Sequence, residues 1–229
     1  MARNKWDNGQ KTCLAVSVTA SAVYLLMQAG QPVPAQALIK GCAVGPLALL
    51  ALRACAWRRD AALLAVGLGF STIGDVLLDL DPRFFVFGLG AFLATHVTYT
   101  CLFVRNRTAA TSRDAQAVAA VIAVVAFSVT LSAWIVPSVG ALAVPVVLYI
   151  CAITAMVSTA ILARFEQRRV AVGAILFLIS DSLLAVHKFK TPVPLRDFLV
   201  WTTYYLGQLG IAVGYLRSGT QLAYKTQRA

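Results

Sequence analysis

The chain has 229 residues, 59% of them hydrophobic and 13% charged, and a mean hydropathy of +0.77. That composition excludes a water-soluble globular domain and describes an integral membrane protein. The formal net charge of +11 does not point to nucleic acid as a partner, because the basic residues fall in short clusters between apolar segments. They read as topology signals that also meet anionic lipid headgroups.

Apolar runs of about 18–22 residues predict eight helices, at 12–29, 34–52, 61–79, 84–104, 116–136, 141–163, 170–187 and 198–216. The fold class is therefore all-α: a polytopic bundle of eight transmembrane helices forming one membrane domain over residues 1–229. The punctuation agrees. Gly30 through Pro34 separates the first two runs, Asp79-Leu80-Asp81-Pro82 the third and fourth, and Pro137 through Gly140 the fifth and sixth. The basic start and the Gln31-Pro32-Val33-Pro34-Ala35-Gln36-Ala37 stretch loosely resemble a signal peptide, but seven further spanning runs favour an uncleaved first helix.

A cytoplasmic N-terminus places Arg3, Lys5, Lys11, Arg53, Arg58, Arg59, Arg105, Arg107, Arg113, Arg164, Arg168, Arg169, Arg217, Lys225 and Arg228 inside, and only Arg83, Lys188, Lys190 and Arg196 outside. The positive-inside rule then puts both termini in the cytoplasm.

Against this apolar background stand residues that a bilayer tolerates poorly. The third run contains Phe70-Ser71-Thr72-Ile73-Gly74-Asp75-Val76-Leu77-Leu78, the fourth Phe92-Leu93-Ala94-Thr95-His96-Val97-Thr98-Tyr99, and the seventh Ile179-Ser180-Asp181-Ser182-Leu183-Leu184. An acidic residue at the centre of a spanning helix costs roughly 2.5–3.5 kcal/mol on insertion scales, so it is a functional candidate by default. At a rise of about 1.5 Å per residue, Asp75 and Asp181 fall in the outer halves of their helices. Lys40 and Tyr204 lie about two turns in from the outer face, and His96 and Tyr99 somewhat deeper. Groups at one depth can offset one another's desolvation. Ser71 and Asp75 share a helix face, as do Phe177 and Asp181, Phe92 and His96, and Tyr204 and Gln208.

The two aspartate motifs align as Ile, small, Asp, any, Leu, Leu at an offset of 106, which also carries Tyr99 onto Tyr205. This suggests a 4+4 parallel internal repeat with a site between the halves, against chance matching among Leu-rich helices.

Two carboxyl groups in a low-dielectric pocket supply a general acid and an anion in one site. That pairing suits reactions through an oxocarbenium ion, as in glycosides and vinyl ethers. Plainer readings stand beside it. Lys40 can snorkel, and His96 can be a satisfied interhelical histidine. Tyr99, Tyr149, Tyr204 and Tyr205 can be bundle hydrogen-bonders, Gln208 can link helices, and His187 can simply face headgroups.

The motifs already quoted, together with Phe87-Gly88-Leu89-Gly90-Ala91, Gly173-Ala174-Ile175-Leu176-Phe177-Leu178 and Tyr204-Tyr205-Leu206-Gly207-Gln208, resemble the successive motifs of the YhhN family, the bacterial branch of a group that includes the animal TMEM86 lysoplasmalogenases. The resemblance spans helices 2 to 8. It departs at Lys40-Gly41, where the family pattern has Lys-Pro.

What the resemblance implies is a hydrolase of ether lipid metabolism that cleaves the vinyl ether bond of a lysoplasmalogen. The products would be a fatty aldehyde and glycerophosphoethanolamine or glycerophosphocholine. The expected place is the inner membrane of a bacterium, and the expected partners are a single-chain ether phospholipid and membrane lipids. Asp75 and Asp181 are the expected catalytic pair. Lys40, Ser71, His96, Tyr99, Tyr149, Ser180, Tyr204 and Gln208 are the expected substrate-binding residues. Neither a cofactor nor a metal is expected: Asp75, His96 and Asp181 could ligate zinc, but the chain has only two histidines and no His-Glu-x-x-His or paired-Cys spacing. Gly67-Leu68-Gly69 lacks the strand and helix of a nucleotide fingerprint and reads as close helix packing. Cys13, Cys42, Cys55, Cys101 and Cys151 read as small packing residues. The reading from another class is a proton-coupled transporter of a small molecule or lipid, which uses the same intramembrane Asp, Lys and His groups.

Overall fold

A computed structural model describes residues 6–28, 35–56, 58–106, 115–163, 165 and 168–226. It contains eight helices in order: α1 (Asn8–Met27), α2 (Gln36–Ala54), α3 (Ala61–Leu80), α4 (Phe85–Arg105), α5 (Ala115–Ile135), α6 (Ala143–Leu162), α7 (Arg169–Phe189) and α8 (Arg196–Thr226). No strand occurs among the described residues. Seven of the helices, α1 to α7, are long and apolar enough to cross a membrane, so the chain is a multi-pass membrane protein. Helix α8 has the length, but Thr202, Thr203, Tyr204, Tyr205 and Gln208 dilute its apolar character.

Most predicted boundaries lie within two residues of those observed. The exceptions have local causes. Helix α1 starts at Asn8 rather than 12 because a capping box holds its polar first turn: Gln10 N donates to Asp7 Oδ1 at 2.7 Å, and Asp7 N donates to Gln10 Oε1 at 3.0 Å. Helix α8 continues past 216 because Arg217–Thr226 contains no Pro and a single Gly, so nothing there stops a helix once the apolar run has ended. Lys40, expected two turns into its helix, is the fifth residue of α2. The basic positions Arg3, Lys5, Arg107, Arg113, Arg164 and Arg228, and the Gly30 to Pro34 punctuation, lie outside the described residues.

Small residues set how closely the helices approach. A Cβ on Gly173 would stand 2.6 Å from Gly207 O and 2.8 Å from Ile211 N, so α7 and α8 touch backbone to backbone. Gly41 lies where a Cβ would come within 3.1 Å of Val76 Cγ2, which lets α2 sit against α3 beside Lys40. Of the Gly67-Leu68-Gly69 pair, Gly67 packs under the Tyr99 ring as read, while Gly69 faces open space. The cysteines are free, and Cys42, Cys101 and Cys151 are exposed rather than packed, which corrects the packing reading for those three. Leu26, Leu38, Ile73, Val97, Ile122 and Val129 are likewise exposed, as apolar faces meeting lipid should be.

Candidate active site

A cavity of about 850 Å³ opens at one end of the bundle. Its lining comes from the C-terminal halves of α1, α3, α5 and α7 (Tyr24, Asp75, Ser128, Asp181) and the N-terminal halves of α2, α4, α6 and α8 (Lys40, Phe92, Tyr149, Tyr204). Successive helices therefore run in opposite directions, and the cavity lies at the end where the odd ones finish. Between α4, α5, α6 and α7 its wall is apolar, with Leu89, Leu131, Val146, Ile150, Ile153 and Leu178. At the opening stand Gln28, Gln36, His187, Lys188, Arg196 and Asp197.

Both aspartates reach this cavity. Asp75 is 2% exposed and is held from two helices: Tyr204 OH donates to its Oδ2 at 2.6 Å, and Lys40 Nζ stands 3.9 Å from its Oδ1. Asp181 is held in the same manner. Tyr149 OH donates to Oδ2 at 2.6 Å, and His96 Nε2 is 3.3 Å from the same oxygen without forming a hydrogen bond. The short phenol contacts are directional hydrogen bonds, so they aim each carboxyl group. Each aspartate keeps a face toward the cavity.

Lys40 is shared. Its ammonium lies 3.6 Å from Asp79 Oδ1 as well as 3.9 Å from Asp75, and 5.5 and 5.8 Å from the ring centroids of Tyr24 and Trp201. Ion pairing and aromatic faces together offset its removal from water. It does not snorkel away from the site.

Behind the cavity a buried relay supports Tyr204. Tyr99 OH donates to Gln208 Oε1 at 2.8 Å, Gln208 Nε2 donates to Ser71 Oγ at 2.7 Å, and Ser71 Oγ donates to Thr95 Oγ1 at 3.1 Å. Gln208 Nε2 also reaches Tyr204 OH at 3.5 Å. A fully satisfied buried network of this kind is rigid. Of the ten residues expected at the site, Asp75, Asp181, Lys40, Tyr149, Ser180 and Tyr204 line the cavity, whereas Ser71, His96, Tyr99 and Gln208 lie behind it. Ser180 lines it, but its hydroxyl donates to Val200 O at 2.9 Å, tying α7 to α8.

His96 is fully buried, with ring centroids of Tyr149 and Phe177 each 4.9 Å away. Of the three groups considered for zinc, His96 and Asp181 lie together, Nε2 to Oδ2 at 3.3 Å. Among the described residues no cluster of three His, Cys, Asp or Glu side chains is placed to hold a metal ion.

Asp79, Trp201, Tyr24 and Ser128 are among the lining residues that escaped the reading of the sequence. Asp79, bonded by Tyr24 OH at 2.9 Å, was legible as the i+4 neighbour of Asp75 on one face, but its place beside Asp81-Pro82 marks it as a helix end. Trp201, three residues before Tyr204, donates through Nε1 to Ser21 O at 3.2 Å. Tyr24 and Ser128 carry no sequence signal. Ser128 is 2% exposed, and its hydroxyl has no hydrogen-bond partner. His187, read as facing headgroups, lines the cavity and accepts the Val193 N–H at Nδ1, 3.2 Å away.

Fold and site together define a class: an all-helical, multi-pass membrane protein with two embedded aspartates facing one cavity between its helices. Within that class the chain belongs to the YhhN family, whose profile matches residues 35–215. It is similar to a Mycobacterium tuberculosis protein named lysoplasmalogenase, with 33% identity over 210 residues, covering 88% of this chain and 80% of that one. Against human "Lysoplasmalogenase TMEM86A" the identity is 31% over 163 residues, 67% of this chain and 65% of the relative. A stretch of 46 residues, 20% of each chain, is 46% identical to human "Lysoplasmalogenase TMEM86B". No solved structure matches the chain.

Proposed function

We propose that this protein is a membrane-embedded lysoplasmalogenase that hydrolyses the vinyl ether bond of a single-chain glycerophospholipid. The observation that carries the reading is the convergence of Asp75 and Asp181 on one cavity, each aimed by a tyrosine hydroxyl at 2.6 Å. The cavity's apolar wall suits one alkenyl chain, and its polar floor suits the bond that joins chain to glycerol.

One aspartate gives its proton to the vinyl carbon remote from oxygen. The resulting oxocarbenium ion is stabilised by the other carboxylate, which then takes a proton from the attacking water. The hemiacetal collapses. Its hydroxyl proton returns to the first aspartate, the second protonates the departing glycerol oxygen, and the products are a fatty aldehyde and a glycerophospho-alcohol. Each carboxyl group ends as it began, so water is the only co-reactant. Lys40 holds Asp75, and Tyr149, Tyr204 and the unpartnered Ser128 hydroxyl orient water and the ether oxygen. His96 backs Asp181.

The same geometry supports eight spans in two related halves. Asp75 on α3 takes one partner from α2 and one from α8; Asp181 on α7 takes one from α6 and one from α4. Adding four to each helix number, with α8 returning to α4, converts the first set into the second. Described cytoplasmic candidates such as Arg53, Arg105 and Arg169 sit at the end away from the cavity, and Lys188 and Arg196 at its opening. This supports both termini on the cytoplasmic side, with the cavity facing outward.

Purified protein in detergent should release aldehyde from a 1-alkenyl lysophospholipid, and Asp75→Asn and Asp181→Asn should each abolish release while remaining folded. Detergent also separates hydrolysis from proton-coupled transport, which needs sealed compartments. Retained turnover in either variant removes that aspartate from its role.

A further inference from the structure

The charges lining the cavity are sorted by height. On the floor, two carboxyl groups, Asp75 and Asp181, face one ammonium, Lys40, and Asp79 flanks that ammonium about one helical turn nearer the opening. At the rim the excess reverses: Lys188 and Arg196 face Asp197 alone, apart from His187. Asp197 pairs with Arg196, Oδ1 to Nη2 at 2.7 Å, and is 55% exposed, so solvent screens much of its charge. Lys188 Nζ lies 4.8 Å from the ring centroid of Phe85, itself a lining residue, which directs the lysine along the cavity wall. Arg196 opens α8, whose N-terminal dipole adds positive potential at the rim.

The two rim cations come from antiparallel helices yet stand level. Along α7, Lys188 is seven residues from Asp181 on the same face, a rise of about 10 Å. Along α8, Arg196 is eight residues from Tyr204, which touches Asp75, a rise of about 12 Å.

We infer that Lys188 and Arg196 form a phosphate subsite at the cavity rim, spaced from the floor so that a glycerol phosphate bound there lays the bond next to its chain against Asp75 and Asp181. The inference rests on the reaction assigned above for the location of the reacting carbon. Seven bonds separate that vinyl carbon from phosphorus. At the advance of extended polypeptide, about 1.2 Å per bond, they span about 8 Å, and the lysine and arginine side chains cover the remainder. The floor, rich in carboxyl groups, favours the positive charge developing at the ether. The rim favours the anion, and Asp197 meets the ammonium of a zwitterionic head. The field therefore orients the lipid head outward and tail inward.

The test compares a 1-alkenyl glycerophosphoethanolamine with the 1-alkenyl glycerol of the same chain, in wild type and in the Lys188→Ala/Arg196→Ala double variant. The ratio of kcat/KM between the two lipids should fall at least tenfold in the variant, through KM. An unchanged ratio overturns the subsite. The single variant Lys188→Gln, at an exposed position, should lower the ratio in the same direction should the double variant fold poorly.

A binding arm does not depend on chemistry. By native mass spectrometry, wild type should retain a lysophosphatidylethanolamine at least tenfold more than a monoacylglycerol of equal chain length, and the double variant should lose that preference. Wild type that cleaves neither alkenyl lipid but keeps the phosphate preference would defeat the assigned reaction and leave the subsite standing. Wild type that cleaves both equally and shows no preference would do the reverse.

Discussion

Replacing Lys40 by methionine keeps much of the side chain's volume and removes the cation that two carboxyl groups share. The ammonium is 3.9 Å from Asp75 and 3.6 Å from Asp79, and the exposures are 14%, 2% and 18% for the three side chains, so solvent can compensate little of the loss. At an effective dielectric constant of about 20, each attraction is worth about 4–5 kcal/mol before the cost of desolvating the lysine. Breaking a buried pair by removing one partner costs about 3–5 kcal/mol, because the stranded charge remains. Lys40→Met should therefore destabilise the protein by about 3–5 kcal/mol. Adding Asp79→Asn removes one stranded carboxylate and should recover part of that loss, although Tyr24 OH keeps a partner in either case. The assay is a double-mutant cycle on detergent-solubilised protein, unfolded thermally or with denaturing detergent, with aldehyde release followed in parallel. A Lys40→Met variant as stable as wild type, or a coupling energy to Asp79 within about 0.5 kcal/mol of zero, would refute the shared-cation account.

Tyr204→Phe removes the hydroxyl at 2.6 Å from Asp75; such a hydrogen bond is worth about 0.5–3 kcal/mol, the upper part of the range applying to a charged carboxylate, so kcat should fall roughly 2- to 150-fold, and an unaltered kcat would show that Asp75 needs no such aim. Tyr149→Phe should do the same through Asp181, measured by the same aldehyde assay. Tyr99→Phe leaves Gln208 Oε1 without its donor in the buried relay, so stability should drop by about 1–3 kcal/mol, read from thermal unfolding. Gly173→Leu drives a side chain into the α8 backbone at Gly207 and Ile211, so the variant should fail to accumulate as folded protein, read by size-exclusion profile after extraction.

Much of the architecture was legible in one dimension because a bilayer imposes a strong and simple code. Every backbone group must bond within its own helix, so a spanning segment is a long apolar run, and the runs located the helices. Asp75, His96 and Asp181 stood out for the same reason: an ionisable side chain is conspicuous where its surroundings are uniformly apolar. The periodicity of 3.6 also placed Ser71 with Asp75 and Tyr204 with Gln208 on common faces. Polar helix ends were less legible. The capping box at Asp7 and the polar extension of α8 are stabilised by local hydrogen bonds that hydropathy does not register.

What the sequence by itself determined is thus an all-helical membrane protein of the YhhN family with costly acidic groups at one depth, because burial in lipid makes both the helices and the acids conspicuous. Only the tertiary structure decided how those groups are shared out. It put Lys40 between Asp75 and Asp79, brought Tyr149 and His96 to Asp181, moved Tyr99 and Gln208 behind the wall, and added Trp201 beside Tyr204 and, from helices that carry no such signal, Tyr24 and Ser128. Those outcomes depend on helix rotation and on which helix faces which. They are set by the close backbone contact of Gly173 with Gly207 and by aromatic packing across the bundle, forces that act between segments far apart in the chain.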